Sequence, residues 1–328
     1  MRLQRTRGPA RLAPFPVHEG LIERLLVAHA SPDAPRDEVL AHAFGCCAGY
    51  AYADLDTVAT IAGRVGLEEC AGVRLTQVVD AMLVFSTAYL LQSRCGRVVI
   101  LCYRGTEPSN LGNWLGDADV GAASMAVGGE RLRVPVGFHR NVRATRWAVL
   151  HELGSALEGR SLFDPAARVD HPMEALYVTG HSLGGAMAVL FALSIVETPE
   201  CRAIAERLRA VYTFGQPLTT GAPLPAAAKA LGRRLYRHVL PGDPVPALPP
   251  ASWCRLAHFG REWRFKDGGW SEPSAPFGQL KSLPRALLAL AGGKSRGLSS
   301  AREHAPNRYI SALQPEDRVT ELGDRSEA

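Results

Sequence analysis

The chain lacks an apolar run long enough to cross a bilayer as one helix, roughly 18 residues. Its longest apolar stretch, Leu183 to Val196, is interrupted near its start by Gly184 and Gly185 and reads as a core helix. The opening MRLQRTRGPARLAPFPVHEG starts basic but lacks the apolar core of a secretory leader before its prolines. A cytoplasmic location is the resulting expectation. Paired cysteines at metal-type spacing are also missing. The seven cysteines (Cys46, Cys47, Cys70, Cys95, Cys102, Cys201 and Cys254) are odd in number, and free thiols are expected. Charge of one sign is scarce too, with 37 basic against 32 acidic residues, mostly interleaved. The excess gathers at Arg2, Arg5, Arg7 and Arg11, which is expected to be a solvated, disordered tail, with no nucleic-acid partner. No internal repeat is visible.

What is present is an ordinary globular composition, 47% hydrophobic and 21% charged over 328 residues, enough for a large core. From Gly20 to Leu91 the pattern predicts mainly helix, including DEVLAHAFGCCAGYAY and a run ending in DAMLVFSTAYLLQ. Val98 to Tyr103 is a continuous apolar run, as expected of a strand covered on both faces. Residues 140–158 would place Trp147, Leu150, Leu153 and Leu157 on one helical face. Further strands are expected at 175–179, 210–215, 235–240 and 261–265. Strands alternating with helices predict an α/β domain with a mostly parallel central sheet flanked by helices.

Within VTGHSLGGAMAVL, residues Gly180-His181-Ser182-Leu183-Gly184 fit G-x-S-x-G between an expected strand and an expected helix. A serine on such a tight turn needs small neighbours, and the helix N-terminus then aims backbone N–H groups at any oxyanion beside it. An unassisted serine hydroxyl is a weak nucleophile, so it needs a histidine base oriented by a carboxylate. Asp243 follows a strand through Pro241-Gly242, at a carboxyl end where α/β proteins hold their chemistry. Two histidines follow it, His258 and His304, and chain order leaves them equal; the flexible stretch before His304 suits a base carried on a loop.

The ordered set YRGTE, NWLGDAD, VGFH, VTGHSLGGA, TFGQP, HVLPGDPVPALPP and EHAPNRYISAL, spanning roughly residues 80–313, resembles the class 3 lipases. These are the fungal triacylglycerol lipases with their plant and bacterial relatives. The resemblance implies an α/β-hydrolase fold with Ser182 as nucleophile, Asp243 as orienting acid and His304 as base. It assigns His258 to a non-catalytic position, and Glu303 stands where the family usually has Asp. It implies an oxyanion hole from Thr106 and the Leu183 N–H, where losing one donor costs about 3–4 kcal/mol. Residues 107–116, with Trp114, align with the family's lid. Asp117 and Asp119 read as structural.

The expectation is therefore a serine carboxylester hydrolase, foremost a lipase acting on acylglycerols, without metal or organic cofactor. Its partners would be a lipid or ester substrate, with transient contact at a lipid interface. A phospholipase A1, a small-ester esterase or a non-catalytic scaffold of the same fold are the alternatives. Leu287, Leu288 and Leu290 in PRALLALAGG would form an apolar rim near the active-site mouth, or an ordinary packed helix. The expected organisation is a disordered basic 1–18, one domain over 19–313 with its N-terminal helices packed on a sheet edge, and a polar tail 314–328.

Overall fold

A computed structural model describes residues 1–8, 16–82, 84–105, 121–196, 198–249, 255–273, 302–316, 320 and 322. The expectations at Thr106, at residues 107–116 with Trp114, at Asp117 and Asp119, and at 284–293 lie outside these residues. A nine-stranded sheet runs β1 (Arg2–Arg7), β2 (Ala71–Val79), β3 (Val84–Gln92), β4 (Val98–Tyr103), β5 (Ala175–His181), β6 (Leu208–Phe214), β7 (Leu235–Val239), β8 (Arg261–Lys266) and β9 (Gly269–Ser271), in that spatial order. The strands β4 to β8 are parallel to one another, and antiparallel pairs extend the sheet on both sides.

This order decides where the helices go. Each parallel strand is added on the same side of the last, so right-handed crossovers all fall on one face. That face carries α4 (Val136–Leu157) and α5 (Leu183–Ile195), packed on Leu90, Leu101, Val178 and Val211. The opposite face, with Tyr89, Ile100, Tyr177 and Tyr212, receives no crossover. It is covered by α1 (Leu21–Val27), α2 (Glu38–Tyr50) and α3 (Leu55–Ala62), and by α6 (Pro306–Leu313) from the far end of the chain. Asp37 and Asp54 cap α2 and α3 by accepting the N–H groups of Leu40 and Thr57 at 3.0 and 2.8 Å. The helix α6 lies close on α2 because Gly45 and Gly49 face it: a Cβ there would stand 2.7 Å from Leu313 and 2.6 Å from Ile310. The N-terminal helices therefore cover a sheet face, where packing on an edge was expected.

Three further readings are corrected. Residues 71–92, expected to be helical, form the β2–β3 hairpin. The period-two burial of Val73 and Leu75 and the β-branched, aromatic VFSTAY favour strand. Trp147 is 76% exposed with Arg146 stacked over it, so the buried stripe of α4 is rotated away. That stripe contains Phe138, Asn141, Val142, Thr145, Val149, Glu152, Leu153 and Ala156. Its polar members are partnered: Asn141 accepts from the Phe85 N–H at 2.8 Å, and Thr145 meets Ser86 at 3.0 Å. Polar residues in a buried stripe hide the inward face from a reading based on hydrophobicity. Past α6, Thr320 and Leu322 are buried, against the expectation of a polar tail.

The basic start of the chain is not a tail over Arg2–Arg7, which pair with β2 along their length. One of its arginines has a partner inside the fold. Arg5 points to α4 and grips Glu152 with both guanidinium nitrogens at 2.9 and 2.7 Å, while Glu152 is almost fully buried. Replacing Arg5 by Ala strands that carboxylate, and a loss of about 2–4 kcal/mol is expected in urea unfolding. The double variant Arg5→Met/Glu152→Met should be more stable than Arg5→Ala alone. Equal loss from both would show that the buried charge is not the source.

Candidate active site

Ser182 connects β5 to α5 with φ 58° and ψ −131°, a left-handed backbone that costs a side-chain-bearing residue on the order of 1–2 kcal/mol. The surroundings hold it there. Its N–H donates to the Phe214 carbonyl on β6 at 2.9 Å, and its own carbonyl accepts the Gly185 N–H at 2.9 Å. A Cβ at Gly180 would collide with the Gly184 carbonyl, and one at Gly184 with the Tyr103 carbonyl. The turn can close only with glycine at both positions. Leu183 opens α5, so its N–H is among the donors a helix leaves unpaired at its start, and the helix dipole adds positive potential there.

Asp243 lies just beyond β7, after the Pro241-Gly242 turn, and is 5% exposed. Its Oδ1 accepts the Val245 N–H at 2.9 Å. Its Oδ2 accepts both the Nδ1–H of His304 at 2.9 Å and the hydroxyl of Tyr309 at 2.5 Å. These three donors satisfy the lone pairs of a carboxylate that burial has taken from water. Burial, and behind it the Asp243 charge, pushes the Tyr309 phenol well above its ordinary range, so it remains a donor. With Nδ1–H directed at Asp243, the network assigns the basic lone pair of His304 to Nε2.

Both Ser182 Oγ and His304 Nε2 are buried, and neither has a hydrogen-bond partner among the described residues. The serine–histidine bond is thus open in this structure, a common state for catalytic groups before substrate tightens the site. The structure brings together Asp243 and His304 directly, and ties Ser182 to them through the main chain. Phe214, which accepts from Ser182, precedes Gly215, and a Cβ at Gly215 would sit 2.8 Å from both Asp243 Oδ2 and His304 Cε1.

His258 takes no part in this arrangement. Its Nε2–H donates to the Pro246 carbonyl at 2.6 Å, and burial together with the Arg237 charge holds it neutral, well below the usual imidazole range. Sequence reasoning gave no role to Tyr309, although it stands in the same segment as His304. Nor did it single out Tyr52, whose hydroxyl bonds His181 at 2.8 Å from 129 residues away. Tyr309 could have been found, since the turn before α6 brings it under His304. Tyr52 carries no local signal.

The arrangement of strained serine, basic imidazole nitrogen and buried carboxylate suits acyl transfer through a covalent intermediate. Gly215 has φ +58°, so Gly215→Ala should cost about 1–2 kcal/mol in backbone strain alone and push His304 from Asp243. The measurement is the low-field proton resonance of the Nδ1–H···Oδ2 bond, expected to disappear. Its persistence at the wild-type position would show that the pair tolerates the methyl group.

Residues 100–253 match the profile of the family described as Lipase (class 3), a span that includes Ser182 and Asp243 and ends before His304. The chain is 30% identical over 216 residues to the triacylglycerol lipase OBL1 of Ricinus communis, covering 55% of this chain and 40% of that protein. It is 28% identical over 187 residues to a lipase of Rhizomucor miehei, covering 56% of this chain and 47% of that protein. The chain thus spans less than half the length of these curated relatives. In structure it resembles lipase II from Rhizopus niveus, with TM-score 0.56 and 22% identity over 76% of this chain and 90% of the other. The lipase from Rhizopus microsporus var. chinensis gives the same TM-score at 18% identity, over 77% and 85%. Elbow and acid thus lie in a segment that matches the class 3 lipase profile, the base lies beyond it, and the chain as a whole has the α/β-hydrolase fold of the fungal lipases it resembles.

Proposed function

We propose that the protein is a serine carboxylester hydrolase and acts as a lipase on acylglycerols. The observation that carries this reading is the Asp243–His304 pair at 2.9 Å, tied through Phe214 and Gly215 to a serine held in left-handed backbone. Relatives named as triacylglycerol lipases support the substrate class.

In the proposed reaction His304 Nε2 takes the proton of Ser182 as its Oγ attacks the ester carbonyl. Asp243 stabilises the imidazolium that forms and keeps its ring oriented. The Leu183 N–H, with Thr106 as the second donor, receives the negative oxygen of the tetrahedral intermediate. His304 then returns the proton to the departing alcohol, and water, activated by the same nitrogen, releases the acid from Ser182. An acylglycerol has little solubility in water, so this reading includes transient contact with a lipid interface.

The test is hydrolysis of p-nitrophenyl esters from acetyl to palmitoyl. Ser182→Ala and His304→Ala should each lower kcat by about 10⁴-fold or more, and Asp243→Asn by about 10³–10⁴-fold. His258→Ala should keep turnover within about tenfold, because its hydrogen bond among the described residues goes to the Pro246 carbonyl and not to the Asp243–His304 pair. The optimum chain length separates a lipase from a small-ester esterase. A protein that cleaves no ester and leaves Ser182 unlabelled by a fluorophosphonate would overturn the assignment.

A further inference from the structure

His181 stands one residue before the nucleophile, fully buried, and the triad leaves it without a task. Its Nε2 lies 2.8 Å from the main-chain carbonyl of His304, and its Nδ1 lies 2.8 Å from the Tyr52 hydroxyl. Its ring sits 4.5 Å from the His304 ring, tilted by 32°. A carbonyl oxygen can only accept, so the hydrogen of His181 is on Nε2. Burial first, and the neighbouring His304 second, hold this imidazole well below its ordinary range. It is therefore neutral, its Nδ1 is a bare acceptor, and the Tyr52 hydroxyl donates to it.

We propose that Tyr52 and His181 form a chain of two hydrogen bonds that holds the main-chain carbonyl of His304, and so fixes the base against the adjoining Ser182. The side chain of His304 is anchored at Asp243 by one bond, about which the ring can swing. A second anchor on its main chain fixes the backbone from which that ring projects. The residue that supplies this anchor is covalently joined to the nucleophile, so one dipeptide, His181-Ser182, sets the position of both reacting atoms. With the Ser182–His304 bond open before substrate arrives, this register depends on the two anchors rather than on the bond itself. The neutral state of His181 matters as well. The charge that develops on His304 during turnover lies next to an uncharged ring, whereas a second imidazolium there would oppose proton transfer. Tyr52 belongs to the segment after α2, so the N-terminal part of the chain takes part in positioning the base.

This inference rests on the serine-hydrolase reading, and its test keeps the two apart. The full chain would be compared with His181→Phe, His181→Gln and Tyr52→Phe. Measured are the second-order rate of Ser182 labelling by a fluorophosphonate, and kcat and KM on a soluble p-nitrophenyl ester. His181→Phe keeps a ring but loses the donor, and should lower both labelling rate and kcat about 100-fold with KM within about twofold. His181→Gln puts an amide N–H near the Nε2 position and should recover most of that loss. Tyr52→Phe removes one oxygen and should lower kcat about tenfold, with a melting temperature close to the parent's. Wild-type labelling and turnover in His181→Phe and Tyr52→Phe would overturn the proposal, as would a His181→Gln protein as slow as His181→Phe. An unmodified protein that resists the probe would remove the hydrolase reading itself.

Discussion

A buried carboxylate must find donors for its lone pairs or give up its charge, and this requirement at Asp243 organises the catalytic end of the molecule. Three groups meet it: the Val245 N–H from its own turn, the His304 ring, and the Tyr309 hydroxyl from α6. The last two come from residues 302–316, more than sixty residues away. Tyr309 also accepts the Leu240 N–H at 3.3 Å, so α6 is bonded to the strand end that carries the acid. The segment delivering the base is thus bound at both ends of a short loop. It is this doubled attachment that lets a loop residue act with the precision of one on a strand.

The winding of the sheet makes that attachment available. Parallel strands laid down in one direction place every crossover on one face, and the other face would expose Tyr89, Tyr177, Tyr212 and Tyr236 to water. Two pieces of chain that are not crossovers, α1–α3 and α6, must cover it. Gly45 and Gly49 allow α6 to seat directly on α2. Covering the bare face therefore brings Tyr52 from one end of the chain and His304 with Tyr309 from the other onto opposite sides of His181. Core coverage and site assembly are one event, which accounts for catalytic groups lying on segments that a core-only view would treat as packing.

What could be read from the residues follows the range of the interactions that fix them. The strands at 98–103 and 175–181 and the serine turn are set by neighbours in sequence: unbroken apolar runs, then glycines where any Cβ would meet backbone. Asp243 was legible because a turn of Pro and Gly follows a strand. His304 and His258 could not be separated by order alone; the stretch before His304 favoured it mildly, and the resemblance distinguished them. Structurally, the difference is a partner: a carboxylate for one and a carbonyl for the other. The hairpin 71–92 was misread because strand β3 is buried on both faces at Tyr89 and Leu90, which erases the alternation that marks a strand. Arg5 was read as solvated because its partner, Glu152, is 147 residues distant. Tyr52 gave no signal for the same reason. Each miss is a contact between segments whose proximity only the completed sheet decides.

At the nucleophile the global structure enforces a breach of local rules. Ser182 holds a left-handed backbone, and the two atoms that must exchange a proton, its Oγ and His304 Nε2, are buried without partners among the described residues. Backbone strain of this kind persists only where the surrounding structure over-determines it. Here the restraints are individual bonds. The Phe214 carbonyl fixes the serine main chain, Asp243 occupies the other nitrogen of His304, and His181 occupies the histidine's carbonyl. These bonds fix the main chain of both residues and the Nδ1 side of the His304 ring. The Ser182–His304 bond is left to form as an ester enters, and an interaction made on the way to the transition state is one that raises the rate.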